Sequence, residues 1–182
     1  DNIFYFGELG MQEYETAGLM TDLLEQAGFK VERGISGFPT GFCATWGSGS
    51  PVVAIHTEYD SNPDNSQRSG VPQASPIVDG APGHCEGHNC NGAVMISAAL
   101  AAKATMDKFG LQGTLKVFGA PAEEQLISRP YFVRDGWFDD VDVALTPHVG
   151  HQHGVGYGLI QSSIISAIFT FHGETAHAGT AP

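Results

Sequence analysis

Residues 83–92 read Gly-His-Cys-Glu-Gly-His-Asn-Cys-Asn-Gly, placing two imidazoles (His84, His88), two thiols (Cys85, Cys90) and a carboxylate (Glu86) within seven positions. Each of these side chains can bind a transition metal. An Ala-rich segment, 93–109, follows at once, so the donors stand where a loop enters a helix and can converge on one point. The competing reading is a polar turn with incidental histidines. It loses ground downstream, where Glu123-Glu124 and His148 arrive at strand-to-loop transitions, the place where an open α/β sheet gathers its chemistry.

Adjacent carboxylates repel, so Glu123-Glu124 at a strand end is costly unless a cation or solvent separates their roles. In a metal site one of the two can ligate while the other, aimed at a bound water, serves as general base. A solvated pair at a helix start, favoured by the macrodipole, is the alternative. His148, in Thr146-Pro147-His148-Val149, gains meaning as a third member of a set with His88 and Glu124; a local site of His148, His151 and His153 competes with it. Asp60 ends the segment His56-Thr57-Glu58-Tyr59-Asp60. A carboxylate there can bridge metals, accept the second ring N–H of a ligating imidazole, or cap an Asx turn.

Other chemistries find less support. The chain has no Gly-x-Ser-x-Gly elbow, and Gly154, Gly156 and Gly158 lack the spacing and the strand-to-helix context of a dinucleotide loop. A nucleophile at Cys85 or Cys90 would need a base and oxyanion donors that the sequence does not locate.

The elements that must position these residues follow from periodicity. Apolar positions between Gly10 and Gly28 recur near a 3.6 period, predicting an amphipathic helix that stops at Gly28. Residues 29–34 and 41–46 read as strands, and Gly47-Ser48-Gly49-Ser50 as a hairpin turn into the strand 51–56, whose apolar run suits burial on both faces. Residues 61–82 form a long loop without periodicity. A helix over 93–109 stopped by Gly110, a strand over 114–118, a short helix over 130–137, a buried strand over 141–145 and a long strand over 159–171 complete the pattern. The alternation predicts an α/β fold, a layered catalytic domain with a mostly parallel mixed sheet between helices.

Composition narrows the partners. At 182 residues the chain can bury one real core, and 20 acids against 8 bases, a net charge of −12, exclude a nucleic-acid groove. No apolar run approaches the roughly eighteen residues of a membrane span. Three cysteines without a disulfide framework suit a reducing compartment, so the expected location is cytoplasmic.

Taken in order, Thr57 to Asp60, His84 to Asn89, Pro121-Ala-Glu-Glu124, Thr146-Pro-His148 and Thr175-Ala-His-Ala178 resemble the motif series of the aminoacylase/carboxypeptidase family of metal-dependent amidohydrolases, peptidase family M20. Within it they are most similar to the p-aminobenzoyl-glutamate hydrolase and indoleacetyl-amino-acid hydrolase branch. The resemblance implies residues 1–158 as the N-terminal part of a catalytic domain, and 159–182 as the entry into an inserted lid that dimerises, with the remainder of the protein beyond Pro182. It implies one or two zinc or manganese ions, with Glu123 as general base, Glu124, His88 and His148 as ligands, Asp60 beside them, and His177 reaching a partner's site to stabilise an oxyanion. The family's usual His-x-Cys-Gly-His has Glu86 at its cysteine position here, with the thiol moved to Cys85. A carboxylate is a harder ligand than a thiolate and favours manganese over zinc. The substrate implied is a small molecule, the amide of an N-acyl or aminobenzoyl amino acid. Release of ammonia from an aromatic amine such as a nitroanthranilate is an alternative, and a non-catalytic metal-binding fragment is the rival class.

Overall fold

The computed structural model describes residues 1–158, 165 and 167–180. They fall into two compact units, Asp1–Gln152 and His153–Pro182. The first holds every α-helix and strand among the described residues: α1 (Asn2–Phe6), α2 (Tyr14–Gln26), β1 (Lys30–Arg33), β2 (Phe42–Ser48), β3 (Val52–Thr57), α3 (His88–Phe109), β4 (Gly113–Gly119), α4 (Ser128–Arg134) and β5 (Val143–Leu145). The second has no helix or strand among its described residues; a turn at 178–180 is closed by Thr180 N–H donating to His177 O at 3.0 Å. Part of the expected strand 159–171 lies outside the described residues, and its described positions, Ile165 and 167–171, are unpaired.

One mixed five-stranded sheet, in the order β1-β2-β4-β3-β5, organises the first unit. Pairing is antiparallel from β1 to β2 and β2 to β4, and parallel from β4 to β3 and β3 to β5. The pleat sorts its side chains. Phe42, Ala44, Ile55, Leu115 and Val117 face a core built with α1, α2 and α3, while Cys43, Ala54 and Phe118 face a smaller one closed by Phe132 of α4.

The expected hairpin between β2 and β3 does not form. The Gly47–Ser50 segment does reverse the chain, but β4 lies between the two strands, pairing Ser48 with Gly113 on one side and Val52 with Thr114 on the other. Close approach makes this fit: a side chain at Gly47 would run into the Gly113 carbonyl. The last strand also departs from expectation, since β5 is short and exposed at all three positions, being the edge of the sheet.

Two helices begin elsewhere than periodicity predicts. α2 starts at Tyr14, because the Glu8 carboxylate accepts Glu15 N–H at 2.8 Å and Thr16 N–H at 2.9 Å, satisfying first-turn donors. α3 starts at His88, five residues before its Ala-rich stretch. His88 and Asn91 are indifferent helix formers, but three apart on one face they are pinned from outside by Asp60 and Glu58. No helix among the described residues is long and apolar enough to cross a membrane.

Candidate metal centre

Parallel strands end on one side of a sheet, and the chain uses that edge. β3 runs out into Thr57, Glu58, Tyr59 and Asp60, all buried. β4 leads through Ala120 into a 3-10 turn, Glu123–Gln125, and β5 leads to His148. The N-terminus of α3 brings His88 against all three.

Asp60 is the hub. Its Oδ1 lies 3.1 Å from His88 Nδ1 and its carbonyl oxygen 3.2 Å from the same nitrogen, while Oδ2 accepts Glu124 N–H at 3.0 Å. Only a protonated Nδ1 satisfies both oxygens, so in the neutral ring Nε2 carries the free lone pair. That Nε2 is buried without a hydrogen-bond partner, 3.9 Å from Glu123 Oε2. An imidazole oriented by a carboxylate with its other nitrogen unpaired among acids is the arrangement a ligating histidine adopts. Burial works against the imidazolium of His88, but Asp60, Glu124 and Glu123 outweigh it and raise the pKa.

Two triads meet at this imidazole. Ligand atoms of Glu86, His88 and Glu124 lie within 4.8 Å of one another, and so do those of Glu58, His88 and His148. The His88 and His148 rings stand edge to face at 5.4 Å. His148 is thus drawn to His88, while His151 sits exposed at a bend. The donor set of carboxylates and imidazoles suits a divalent ion, and five carboxylates, Glu58, Asp60, Glu86, Glu123 and Glu124, gather around one histidine.

The cationic partner inside the protein is Arg129. Its guanidinium donates to Glu58 Oε2, and its Nη1 lies 3.5 Å from Glu123 Oε1. Burial lowers its pKa to about 10, which still leaves it charged at neutral pH. Burial likewise raises the pKa of Glu123, opposed by His88 and reinforced by Asp60 and Glu124. Asn91 Nδ2 donates to Glu58 Oε1 at 2.9 Å while its Oδ1 accepts Val149 N–H at 3.2 Å, tying the strand end to the His148 loop. A side chain at Gly87, where φ is +91°, would run into Val149.

The remaining expected residues divide. Cys85 is exposed, and Asn62 Nδ2 stands 3.4 Å from its Sγ while donating to Glu124 Oε1 at 2.6 Å, so the thiol stays at the margin of the cluster. His177 belongs to the second unit, where its Nδ1 accepts Gly179 N–H at 3.1 Å. Glu58, Asn91 and Arg129 were not singled out by sequence. Strand alternation was the available signal for Glu58, two residues before Asp60; Arg129 is the one cation between Lys116 and Arg134 in a stretch that holds two glutamates.

Fold and cluster together define an α/β protein with a candidate divalent-metal centre at the C-terminal edge of parallel strands. No protein-family model matches the chain. It is 36% identical over 182 residues to one of the subunits of the p-aminobenzoyl-glutamate hydrolase of Escherichia coli, covering all of this chain and 38% of that protein. It is 26% identical to N-acetyl-L-cysteine deacetylase of Bacillus subtilis, over 97% of this chain and 42% of that one. Among solved structures, a Bacillus subtilis dinuclear metal-binding peptidase of the M20 family superposes with a TM-score of 0.63 at 25% identity, covering 75% of this chain and 37% of the other. The chain therefore spans about two fifths of the length of these curated relatives, and its likeness to them and to the M20 structure supports its placement in the M20 family.

Proposed function

We propose that the chain carries the metal-binding part of a hydrolase that cleaves the C–N bond of an N-acyl or aminobenzoyl amino acid. The observation that carries this reading is His88, fixed through Nδ1 by Asp60, with Nε2 unpaired 3.9 Å from Glu123, and with ligand atoms of Glu86 and Glu124 within 4.8 Å of a nitrogen of the same ring. Glu86, His88 and Glu124, with Glu58 and His148 adjoining, would hold the ion, and an oxygen-rich set of this kind favours manganese over zinc. A bound divalent ion supplies a Lewis acid for the scissile carbonyl and lowers the pKa of water.

The chain's own residues do the rest. Glu123 takes a proton from the attacking water and delivers it to the leaving nitrogen as the C–N bond breaks, and its raised pKa suits both transfers. Arg129 bridges Glu123 and Glu58, offsetting their mutual repulsion and holding both in place. Asp60 keeps His88 in the ligating tautomer. His177, on a lid that dimerises, would meet the oxyanion in a partner subunit's site. Residues 1–158 would be part of the catalytic domain and 159–182 the entry into that lid.

Glu123→Gln separates this reading from that of a metal-binding module without turnover. It should leave metal content unchanged while hydrolysis falls by about a hundredfold or more. Loss of metal instead assigns Glu123 a ligand role. A substrate panel pairing N-acyl amino acids with aromatic amines decides between amide cleavage and ammonia release, the reading that Glu86 in place of a thiolate keeps open.

A further inference from the structure

Glu13 is completely buried, and it makes no ion pair among the described residues. It belongs to no metal triad. Its two oxygens are nonetheless engaged: Oε2 accepts Thr40 Oγ1–H at 2.8 Å and Oε1 accepts Ala122 N–H at 2.8 Å. A carboxylate placed in a core needs a compensating role for its neighbours, because its desolvation is costly.

Both partners lead to the metal centre. Ala122 is a buried non-glycine residue in the left-handed region, with φ of +54°, and it directly precedes Glu123 and Glu124. A conformation that an L residue rarely adopts persists only where its surroundings impose it. Gly10 supplies part of that confinement, since even a Cβ there would lie 3.0 Å from Ala122. On the other arm, the Thr40 carbonyl accepts Tyr59 O–H at 2.6 Å. Tyr59 is buried, stacks on Phe42 with ring centroids 6.2 Å apart, and stands between Glu58 and Asp60.

We propose that Glu13 is a positioning residue of the metal centre, whose carboxylate clamps the Ala122 turn bearing Glu123 and Glu124 to the Thr40–Tyr59 arm bearing Glu58 and Asp60. This rests on reading the cluster as a hydrolytic metal centre. Both partners of the clamp are donors, which a carboxylate satisfies without rearrangement. A glutamine keeps the Ala122 bond and lets the Thr40 hydroxyl rotate to accept, whereas alanine leaves both donors unpaired in the core.

The test uses the full chain and three readouts: manganese affinity by competition with a chelator, kcat and KM on N-acyl amino acids, and amide exchange at Ala122, Glu124 and Val117. Glu13→Ala should weaken manganese binding by about tenfold to a hundredfold and lower kcat by about a hundredfold with KM nearly constant. Exchange should quicken at Ala122 and Glu124 while Val117 in β4 stays protected. Glu13→Gln should restore all three to near the parent values. A role confined to stability would quicken exchange at all three amides together and leave kcat and affinity per folded molecule unchanged, and that result overturns the proposal. Should Glu13→Ala fail to fold, Glu13→Asp, which draws the carboxylate back from both donors, and Thr40→Val, which loosens one arm, decide by the same readouts. A parent protein that takes up no divalent ion overturns the hydrolase reading, and exchange at Ala122 and Glu124 then still decides the clamp.

Discussion

Asp60 determines which nitrogen of His88 is available for chemistry, and its neighbours determine what can join it. Glu86 shares a triad with His88 and Glu124, whereas the adjacent Cys85, exposed like Glu86, belongs to no such triad among the described residues and meets the cluster through Asn62. Neighbouring side chains on a non-helical segment diverge, so both cannot ligate one ion. Cys85→Ser is therefore expected to keep manganese affinity within about threefold, and Glu86→Ala to lose more than the roughly tenfold to hundredfold typical of a group outside the coordination shell. Chelator competition measures both. Binding that survives Glu86→Ala and vanishes with Cys85→Ser would place the thiol, one position earlier, in the ligand role. Among residues, those that stand out by spacing, His88 and Glu86 within one short run of donors and Glu123-Glu124 as an adjacent pair after a strand, were legible in the sequence as candidates. Glu58, Asn91 and Arg129 were not, because their part depends on partners 33 to 71 positions away.

At the scale of elements, α4 places a cation in an otherwise acidic site. It is seven residues long, too short to be stable alone, and it is anchored by Phe132, fully buried against Phe38 and Phe118 with ring centroids at 5.9 and 6.4 Å. Truncating that ring should cost about 3–5 kcal/mol of stability. Because Arg129 sits one turn before Phe132, Phe132→Ala should also release Glu58 and Glu123, so that turnover falls in protein that is still folded. Denaturant unfolding and activity at a temperature well below the transition check the two halves; normal turnover with full loss of stability would disconnect α4 from the site. The short helix here was legible from sequence to within a few residues, as was the alternation of strands and helices. The position of β4 between β2 and β3 was not. A Gly/Ser segment marks a reversal, but which strands then pair is set by contacts such as Ser48 with Gly113, 65 residues apart, that no local pattern encodes.

For the molecule as a whole, a net charge of −12 with five carboxylates around His88 and Arg129 makes the fold work against repulsion at its own site until a cation arrives. An ion that binds the folded state alone stabilises it by mass action, about 2.7 kcal/mol at a hundred times its Kd. For a chain of this size that corresponds to a rise in Tm of roughly 5–10 °C, removed by a chelator. Glu124→Gln supplies the sign test. It keeps an oxygen to accept from Asn62, which lies at 2.6 Å in the parent, and its main-chain bond to Asp60 is untouched, but it deletes one charge from the cluster. The metal-free variant should therefore melt higher than the metal-free parent, while its gain on adding manganese should be smaller. Differential scanning calorimetry with and without the ion measures both differences. A lower melting temperature in the metal-free variant would mean that Glu124 acts as a structural hydrogen-bond acceptor rather than as a charge held in readiness for an ion.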